Sequence, residues 1–498
     1  MKKSILPSLL LVLLHFALFG QPLISATKQF YYCTPCGNTR CDTVRYDHPG
    51  TCPVCHMALI KKAIDGPFVA KINNEFIGHW GGYAKTTNQQ LTFSLAVSAD
   101  PVVGVLFTAT DLNAMNIRGQ HVSLYADSLH FELIGDDGSM KFSGILRDGR
   151  ISGAFIADDQ SVAPENRIGS FELQKVQIQP VNYTVQEVTF RNKEVTLAGS
   201  LYIPNGPGKF PAIVCNHSSG DKPRYDGAFM ADYLARRGIA VLIYDKRGDG
   251  QSTGDWKTST FEDLADDCIA GIGLLKSNPR INPRLIGIFG HSQGATISPI
   301  IVSRSPDVAF NVAAAGFAVT PPEQDVFRVT NILRHQAHFN DKVIDSAIQF
   351  YKLWLEVART GKGWMQMEEA KQKAENTKWY GWVEPPPADS WPWKWYLSAG
   401  NYNYAPYWKK VKIPTLLIYG ENDEVTPVKP SVAIIETALK EAGNRRYKLI
   451  IMPNAIHYFA QVKKEGDLWT KSTPGYFENI YNWIAEVCSI PPASGKAD

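Results

Sequence analysis

The chain has almost no excess of charge of either sign. Its 498 residues contain 51 Lys and Arg against 48 Asp and Glu, a net charge of +3 at pH 7. Basic and acidic residues are interspersed, without the clustering that nucleic-acid-binding surfaces need. Long apolar runs are missing after the first 26 residues, so we expect no stable insertion in a membrane. These two absences exclude a nucleic-acid partner and a membrane-spanning core.

One apolar run lies at the start of the chain. Lys2 and Lys3 precede a strongly apolar stretch at residues 5–19, which is too short for a spanning helix and typical of a secretory signal peptide. We predict a signal peptide over residues 1–26 with cleavage after Ala26, and cleavage at Gly20 is the alternative. An uncleaved anchor is the other interpretation of the stretch. The prediction implies a periplasmic or secreted protein.

Cysteine is scarce outside one short segment, because five of the eight cysteines lie between positions 33 and 55. Cys33 with Cys36, and Cys52 with Cys55, form two Cys-x-x-Cys pairs separated by 15 residues. This is the spacing of a structural zinc site, in which each pair presents two thiolates. We therefore predict a module over residues 27–62 that binds zinc or another soft metal. Disulfide pairing in an oxidising compartment is the alternative.

The pentapeptide at residues 290–294, Gly-His-Ser-Gln-Gly, directly follows the apolar run at 285–289. A buried strand that ends in Gly-x-Ser-x-Gly and continues into a helix is typical of a nucleophile elbow. The turn holds its serine in a strained conformation, and the flanking glycines are needed because a side chain there would collide with backbone. Ser292 is therefore the candidate nucleophile.

A serine nucleophile needs a general base and an acid that orients the base. After a nucleophile elbow, the acid precedes the base in the chain. The apolar strand at residues 413–419 runs into a loop with three carboxylates, of which Asp423 is the preferred acid and Glu421 and Glu424 are alternatives. A further strand at residues 447–452 is followed by His457. We predict His457 as the general base, 34 positions after Asp423.

Acyl transfer also needs donors for the developing oxyanion. The backbone N–H of Gln293, the residue after the nucleophile, is one predicted donor. The second comes from the loop after the apolar strand at 211–216, where Ser219 is the first choice and Ser218 the second. The next strand, residues 240–244, leads into a charged turn at residues 245–252 that we interpret as a surface turn ordering the loops around the site.

Five motifs in this order resemble the α/β-hydrolase superfamily over roughly residues 185–487. They are His-Ser-Ser-Gly at 217–220, Asp-Lys-Arg-Gly-Asp-Gly-Gln-Ser at 245–252, Gly-His-Ser-Gln-Gly at 290–294, Gly-Glu-Asn-Asp at 420–423 and Asn-Ala-Ile-His at 454–457. Within the superfamily the chain most resembles bacterial carboxylesterases of the EstD type, and it is similar to the serine aminopeptidase branch. The cysteine segment resembles the heavy-metal-binding domain found beside bacterial metal-efflux proteins. The resemblance implies an α/β-hydrolase domain over residues 181–490.

Residues 66–178 have short alternating apolar runs separated by glycine and aspartate turns, of which 137–138 and 148–149 are hairpin signals. We predict an antiparallel β domain, a barrel or a sandwich, with a structural role against the hydrolase domain, and ligand binding is the alternative role. Ser292 and Asp423 are 131 positions apart, more than two strand–helix units need, so an insertion is predicted at residues 321–407. Its first part has helical periodicity, and the resemblance to the α/β-hydrolase superfamily implies a lid at this place. Its many aromatic residues favour an apolar wall for the substrate, and Trp393 and Trp395 are candidate substrate-binding residues.

The sequence thus predicts an exported serine hydrolase that cleaves small carboxylic esters through an acyl-enzyme. No cofactor is expected for catalysis, and a structural zinc or other soft metal is expected in the cysteine module. A serine peptidase or aminopeptidase acting on short peptides is one alternative. A metal-binding or sensing protein built on a hydrolase scaffold is the alternative from another class.

Overall fold

The computed structural model describes residues 73–99, 103–135, 138–159, 162–178 and 180–490, together with the backbone of three short strands nearer the start of the chain. The chain divides into two compact units, Met1–Ile72 and Asn73–Asp498. Within the described ranges, none of the helices has the length and apolar character that a bilayer span requires.

The first unit contains one small antiparallel sheet. Strand β1 (Phe30–Cys33) pairs on one side with β2 (Arg45–Tyr46) and on the other with β3 (Leu59–Lys62). The predicted signal peptide lies outside the described residues, as do three of the four predicted metal ligands, Cys36, Cys52 and Cys55. Cys33 is the last residue of β1, and only its backbone is described.

The second unit begins with a nine-stranded antiparallel sheet that curls into a near-barrel, in the order β7-β6-β5-β4-β12-β11-β10-β9-β8. We call it the β domain. Its strands are β4 (Gly78–Lys85), β5 (Gln90–Ser98), β6 (Gly104–Ala109), β7 (Ala114–Arg118), β8 (Gln120–Tyr125), β9 (Ser128–Gly135), β10 (Gly138–Arg147), β11 (Arg150–Ala157) and β12 (Ile168–Lys175).

Alternation of apolar and polar residues explains why these segments form strands with one buried face. Along β5 the residues Leu91, Phe93 and Leu95 are buried while their neighbours are more exposed. The buried faces meet in an aromatic interior, where the rings of Phe131 and Phe142 stack with centroids 4.7 Å apart. The turn at 148–149 joins β10 and β11 with both residues at positive φ, 49° and 72°, as a two-residue hairpin turn requires.

The hydrolase domain is built on an eight-stranded sheet in the order β13-β14-β16-β15-β17-β18-β19-β20. Pairing is antiparallel from β13 through β16 and parallel from there to β20. Its strands are β13 (Tyr183–Asn192), β14 (Val195–Pro204), β15 (Phe210–Asn216), β16 (Ala240–Tyr244), β17 (Ile281–His291), β18 (Phe310–Ala314), β19 (Thr415–Gly420) and β20 (Tyr447–Met452).

Helices cover both faces of this sheet. Ala212 and Val214 of β15 belong to one buried apolar cluster, whereas Ile213 belongs to another, because successive side chains of a strand point to opposite faces. The helices are α1 (Ala228–Ala235), α2 (Phe261–Ser277), α3 (Gln293–Arg304), α4 (Pro321–His335), α5 (Asp341–Thr360), α6 (Trp364–Ala374), α7 (Tyr380–Val383), α8 (Trp391–Ala399), α9 (Ala405–Trp408), α10 (Val428–Glu441) and α11 (Tyr476–Cys488).

Helices α4 to α9 form the insertion between β18 and β19. Trp408 of α9 packs in the main core of the hydrolase domain, whereas helices α4 to α8 share a core of their own. At its centre the buried carboxylate of Asp325 accepts hydrogen bonds of 2.6 Å from the hydroxyls of Tyr351 and Tyr396 and pairs with Arg328 at 2.5 Å. A buried carboxylate with several donors is well satisfied. The predicted helical insertion is therefore an ordered subdomain.

The β domain docks mainly on residues 453–475 of the hydrolase domain, which connect β20 to α11 and which we call the histidine loop, and its strand β7 also lies against α1. The side-chain oxygen of Gln89 accepts from the N–H groups of Leu468 and Trp469, both at 2.8 Å. The Trp469 ring packs on Phe155 of the β domain, with centroids 5.6 Å apart. The histidine loop therefore touches both domains.

Candidate active site

The parallel strands β15, β17, β19 and β20 end at the same edge of the sheet, and each is followed by a segment of the candidate site. Ser292 lies between β17 and α3 with φ 54° and ψ −118°, an unfavourable conformation for a residue with a side chain. A Cβ at Gly290 would approach the carbonyl carbon of Gly294 to 2.3 Å, and one at Gly294 would approach the Asn216 oxygen to 2.6 Å. Only glycine therefore fits at positions 290 and 294, two residues before and after this serine.

Three predicted residues form one hydrogen-bonded line. The Ser292 hydroxyl oxygen lies 3.0 Å from Nε2 of His457. Nδ1 of His457 lies 2.9 Å and 3.1 Å from the two carboxylate oxygens of Asp423. The His457 side chain is 4% exposed and that of Asp423 is fully buried. A carboxylate at Nδ1 places the neutral imidazole proton there, which leaves Nε2 free to accept the serine proton.

The loop after β19, residues 421–427, contains the three carboxylates considered, and we call it the acid loop. One oxygen of Asp423 accepts from the N–H groups of Val425 and Thr426, at 2.9 Å and 2.7 Å, which fixes the carboxylate. Glu421 instead accepts from the N–H of Asn454 at 3.0 Å, and the Glu424 carboxylate lies 4.0 Å from His335. The structure brings Asp423 to His457 and gives the other two different partners.

His291 joins the loop after β15 to the histidine loop. Its Nε2 lies 2.9 Å from the carbonyl oxygen of His457, and its Nδ1 lies 2.9 Å from the Ser218 hydroxyl. A carbonyl only accepts, so Nε2 carries the proton and Nδ1 is an acceptor. The one proton of the Ser218 hydroxyl is shared between this Nδ1 and the His291 carbonyl oxygen, which lies 3.0 Å from the hydroxyl. Desolvation lowers the pKa of His291 to about 4, so the ring is neutral at pH 7.

The Lys246 side chain connects the turn after β16 to the predicted oxyanion loop, residues 217–220, by hydrogen bonds. Its ammonium donates to the carbonyl oxygens of Ser218 and Gly220, at 2.8 Å and 3.1 Å, and to the side-chain oxygen of Gln293 at 3.1 Å. Burial lowers the pKa of Lys246 to about 7. The prediction of a surface turn is wrong in one respect, because Asp245, Lys246 and Arg247 are all buried. The turn does order the loops around Ser292.

The predicted oxyanion donors lie at the same place in the fold. Gln293 is the first residue of α3, where backbone N–H groups have no partner within the helix. Ser218 and Ser219 line the same cavity as Ser292. The Ser218 hydroxyl is engaged with His291, so a contribution of Ser218 to an oxyanion would come from its backbone N–H group. The Ser219 and Ser218 donors stay a prediction.

A cavity of about 360 Å³ opens at Ser292. Its walls are formed by Ser219, by aromatic side chains of α1, α11 and the histidine loop, and by Asn113 of the β domain. Asn113 is a functional candidate that no local sequence pattern points to. The predicted substrate contacts Trp393 and Trp395 are not among the lining residues.

The two tryptophans pack elsewhere. Trp393 is buried in the core of the insertion, with its ring 4.6 Å from that of Trp364 and its N–H donating to the carbonyl of Pro386 at 3.1 Å. Trp395 packs edge-on against Phe261 of α2 at 5.8 Å. The insertion meets the site at the acid loop instead, where Gln324 donates to the carbonyl of Val425 at 2.9 Å.

In the part of the chain that the structure describes, no cluster of three or more His, Cys, Asp or Glu side chains has the arrangement of a metal site. The predicted ligands Cys33, Cys36, Cys52 and Cys55 lie outside that part, apart from the backbone of Cys33. Three further cysteines, Cys215, Cys268 and Cys488, are free, buried thiols.

Comparison with known families places the chain. The sequence profile of the serine aminopeptidase family S33 matches residues 213–461, half of the chain. The chain belongs to this family. As an S33 member it is an esterase-like serine hydrolase. Its fold is the predicted one, an antiparallel β domain followed in the chain by an α/β-hydrolase domain. The heavy metal binding domain family matches residues 30–62, where the predicted cysteine module lies.

Individual relatives are distant. Esterase EstD of Thermotoga maritima is 23% identical over 339 residues, which cover 66% of this chain and 69% of EstD. A polyketide transferase of Stachybotrys chlorohalonatus is 30% identical over 144 residues, covering 28% of this chain and 46% of the transferase. Among solved structures, an esterase of Pyrococcus furiosus aligns with a TM-score of 0.40 at 18% identity, over 63% of this chain and 95% of that one.

Proposed function

We propose that this S33 protein is an exported hydrolase of small carboxylic esters that works through an acyl-enzyme. One observation carries the proposal, the line from the Ser292 hydroxyl through the His457 ring to the buried Asp423 carboxylate. The strained backbone at Ser292, the N-terminus of α3 and the cavity beside the serine support it. Export rests on Lys2, Lys3 and the apolar stretch at residues 5–19.

In the proposed reaction His457 takes the proton of Ser292 as the serine oxygen attacks the ester carbonyl. The negative charge that develops on the carbonyl oxygen is held by the N–H groups of Gln293 and Ser219. Asp423 orients the ring and stabilises the imidazolium. His457 then gives its proton to the departing alcohol, and a water molecule repeats the cycle on the acyl-enzyme.

The family description favours a second candidate, an aminopeptidase. Such an enzyme needs a carboxylate for the α-ammonium group of its substrate. Asp226 on the cavity wall lies 3.5 Å from Lys222, and this pairing compensates its charge. We therefore place esters ahead of peptides. The soft-metal site that we propose in the cysteine module has no part in these chemical steps.

The test is the hydrolysis of p-nitrophenyl esters and of aminoacyl anilides by the purified protein. Ser292→Ala and His457→Ala should each lower kcat for esters by about a thousandfold or more, because each removes a member of the proton-transfer line. Ser303→Ala is the matched control, since Ser303 lies near the far end of the same helix and its hydroxyl bonds the Ile300 carbonyl.

Three results would contradict parts of the proposal. More than a few percent of wild-type activity in Ser292→Ala would remove the serine from its role. Preference for the anilides would favour the aminopeptidase. Absence of turnover on every substrate, with metal bound, would favour a metal-binding protein on a hydrolase scaffold.

A further inference from the structure

A residue of the β domain reaches the cavity at Ser292. Asn113 lies between β6 and β7, at the end of a short turn of 3₁₀ helix, Thr110–Leu112. Its φ of 54° lies in the left-handed region, which asparagine tolerates better than most residues. Asn113 lines the same cavity as Ser292, although 179 positions separate them in the chain.

The histidine loop holds Asn113 in place. The Ser472 hydroxyl donates to Oδ1 of Asn113 at 2.6 Å. The N–H of Ser472 donates to the carbonyl of Asp111 at 2.7 Å, and the Lys471 ammonium lies 3.3 Å from the Asp111 carboxylate. The segment that carries His457 therefore also fixes the position of Asn113. Since Ser472 occupies Oδ1, the group that Asn113 offers to the cavity is its Nδ2 amide, a hydrogen-bond donor.

Other walls of the cavity are aromatic. Phe229 of α1 and Phe477 of α11 pack edge to face, with centroids 4.9 Å apart, and both are partly exposed. Tyr458, next to His457, is 68% exposed. All three line the cavity. Partly exposed rings beside a nucleophile can cover an apolar part of a substrate.

The charged side chains of the cavity wall have partners of opposite charge. Lys222 lies 3.5 Å from Asp226. Arg224 lies 3.2 Å from Glu187 and 3.8 Å from Asp245. Because these cations are compensated, the wall has no strong attraction for an anionic substrate. An uncharged ester suits it best.

We propose that Asn113 is a substrate-binding residue, so that the β domain is part of the substrate site. The Nδ2 amide of Asn113 donates to an uncharged oxygen, a carbonyl or an ether, on the apolar group of the ester. The Phe229, Phe477 and Tyr458 rings cover the apolar carbons of that group. The inference rests on the proposed ester hydrolysis and names its substrate class, uncharged esters whose apolar group contains a second oxygen acceptor.

The experiment uses two series of p-nitrophenyl esters with the full-length protein. One series has straight acyl chains of increasing length, and the other has the same chains with one keto oxygen. Wild-type enzyme should prefer at least one keto ester over its plain counterpart in kcat/KM. Asn113→Asp keeps the acceptor for Ser472 and the tolerance of positive φ but loses the donor, so it should reduce this preference by about three- to tenfold.

Asn116→Asp is the matched control. Asn116 lies in β7, three positions after Asn113, and also has a positive φ, 55°, but it is exposed and does not line the cavity. This variant should keep the wild-type preference. Asn113→Gly is the second variant, because it removes the amide while glycine accepts the backbone conformation. It should lose the preference as Asn113→Asp does.

Several outcomes would overturn the inference. One is a wild-type enzyme without preference for any keto ester. Another is an Asn113→Asp variant that matches Asn116→Asp on both series. A third is an equal loss on all esters with a lowered melting temperature, because Asn113 would then only dock the β domain. None of these depends on Ser292→Ala, whose retained activity would instead contradict the proposed ester hydrolysis itself.

Discussion

At the scale of single residues, His291 shows how a position between the two glycines of the elbow serves the site. The motif Gly-x-Ser-x-Gly leaves this position open. Here the ring lies between the Ser218 hydroxyl and the carbonyl of His457, so it couples the predicted oxyanion loop to the general base. The contact with His457 needs a proton on Nε2, which the neutral ring carries there. Protonation at Nδ1 would turn this acceptor into a donor and leave the Ser218 hydroxyl only the His291 carbonyl as its acceptor.

A pH dependence of stability follows. The pKa of His291 lies at about 4 in the folded protein, against about 6.5 when exposed to water. Between these pH values the unfolded chain binds a proton that the folded chain does not, so the free energy of unfolding should fall as the pH drops from about 6.5 to 4. Each pKa unit corresponds to about 1.4 kcal/mol. His291→Gln should reduce this fall, as urea unfolding across the range would measure.

The control for this prediction is His335→Gln, since the His335 side chain is 52% exposed. It should leave the pH dependence as in the wild type. His217, whose pKa desolvation lowers to about 3, should contribute in the same direction and remains in both variants. An unchanged pH dependence in His291→Gln would mean that the ring is not held neutral.

At the scale of elements, the insertion is a small structure with its own core. Trp393 packs against Trp354 and Trp364, with ring centroids 5.4 Å and 4.6 Å away. Trp393→Ala should therefore lower the free energy of unfolding by about 3–5 kcal/mol, the cost of removing a large buried ring. Thermal or urea unfolding measures the loss. Trp391→Ala is the control, because that ring is 39% exposed on the same helix.

The substrate contacts predicted for Trp393 and Trp395 stay a prediction that Trp393→Ala and Trp395→Ala test. A rise in KM confined to aryl or long-chain esters, without a loss of stability, would support a binding role. Packing predicts instead a loss of stability with equal effects on all esters. Any effect on rate would pass through the acid loop, where Gln324 and Asn331 of α4 donate to the carbonyls of Val425 and Glu424.

Local patterns predict the hydrolase elements well, because buried parallel strands are continuous apolar runs. The runs at 211–216, 240–244 and 447–452 coincide with β15, β16 and β20 to within one residue. Strands β4 and β7 have no such local pattern. β4 has glycines at three of its eight positions, and the five-residue β7 has an asparagine at its centre, and both residue types are depleted in strands.

The residues of the candidate site also fall into two groups, those that a local pattern predicts and those that it does not. Ser292, Asp423 and His457 follow strand ends in a fixed order, so the sequence alone predicts that they meet. Asn113 and Lys246 come to the site through contacts between distant segments, which no periodicity or motif encodes. The charge of Lys246 even favours a surface position, and only its three acceptors make its burial acceptable.

At the scale of the whole molecule, the cysteine module and the serine site belong to different units. The described residues that line the cavity all lie between positions 113 and 477. We expect about one soft divalent metal per chain from four thiolates, measured by elemental analysis of the full-length protein. Chelation should remove the metal and leave most of the ester hydrolysis, because metal binding stabilises the module rather than the larger core.

Two findings would contradict this expectation. One is a protein that contains no metal and whose Cys33, Cys36, Cys52 and Cys55 are found in disulfides by mass spectrometry. The module would then be held by disulfides and not by a metal. Loss of ester hydrolysis in step with loss of metal would make the module a regulator of the serine site.

The docking of the β domain on the histidine loop has a consequence for how the protein is made. Gln89 accepts a hydrogen bond from the N–H of Trp469, which comes 380 positions later in the chain. A chain that emerges amino-terminus first, from a ribosome or an export channel, completes its β domain long before those partners appear. A chain stopped before residue 453 has the nucleophile and the acid but lacks the base and most of the β domain's docking surface. The segment that completes the proton-transfer line is thus also the one that makes most of the contacts between the two domains.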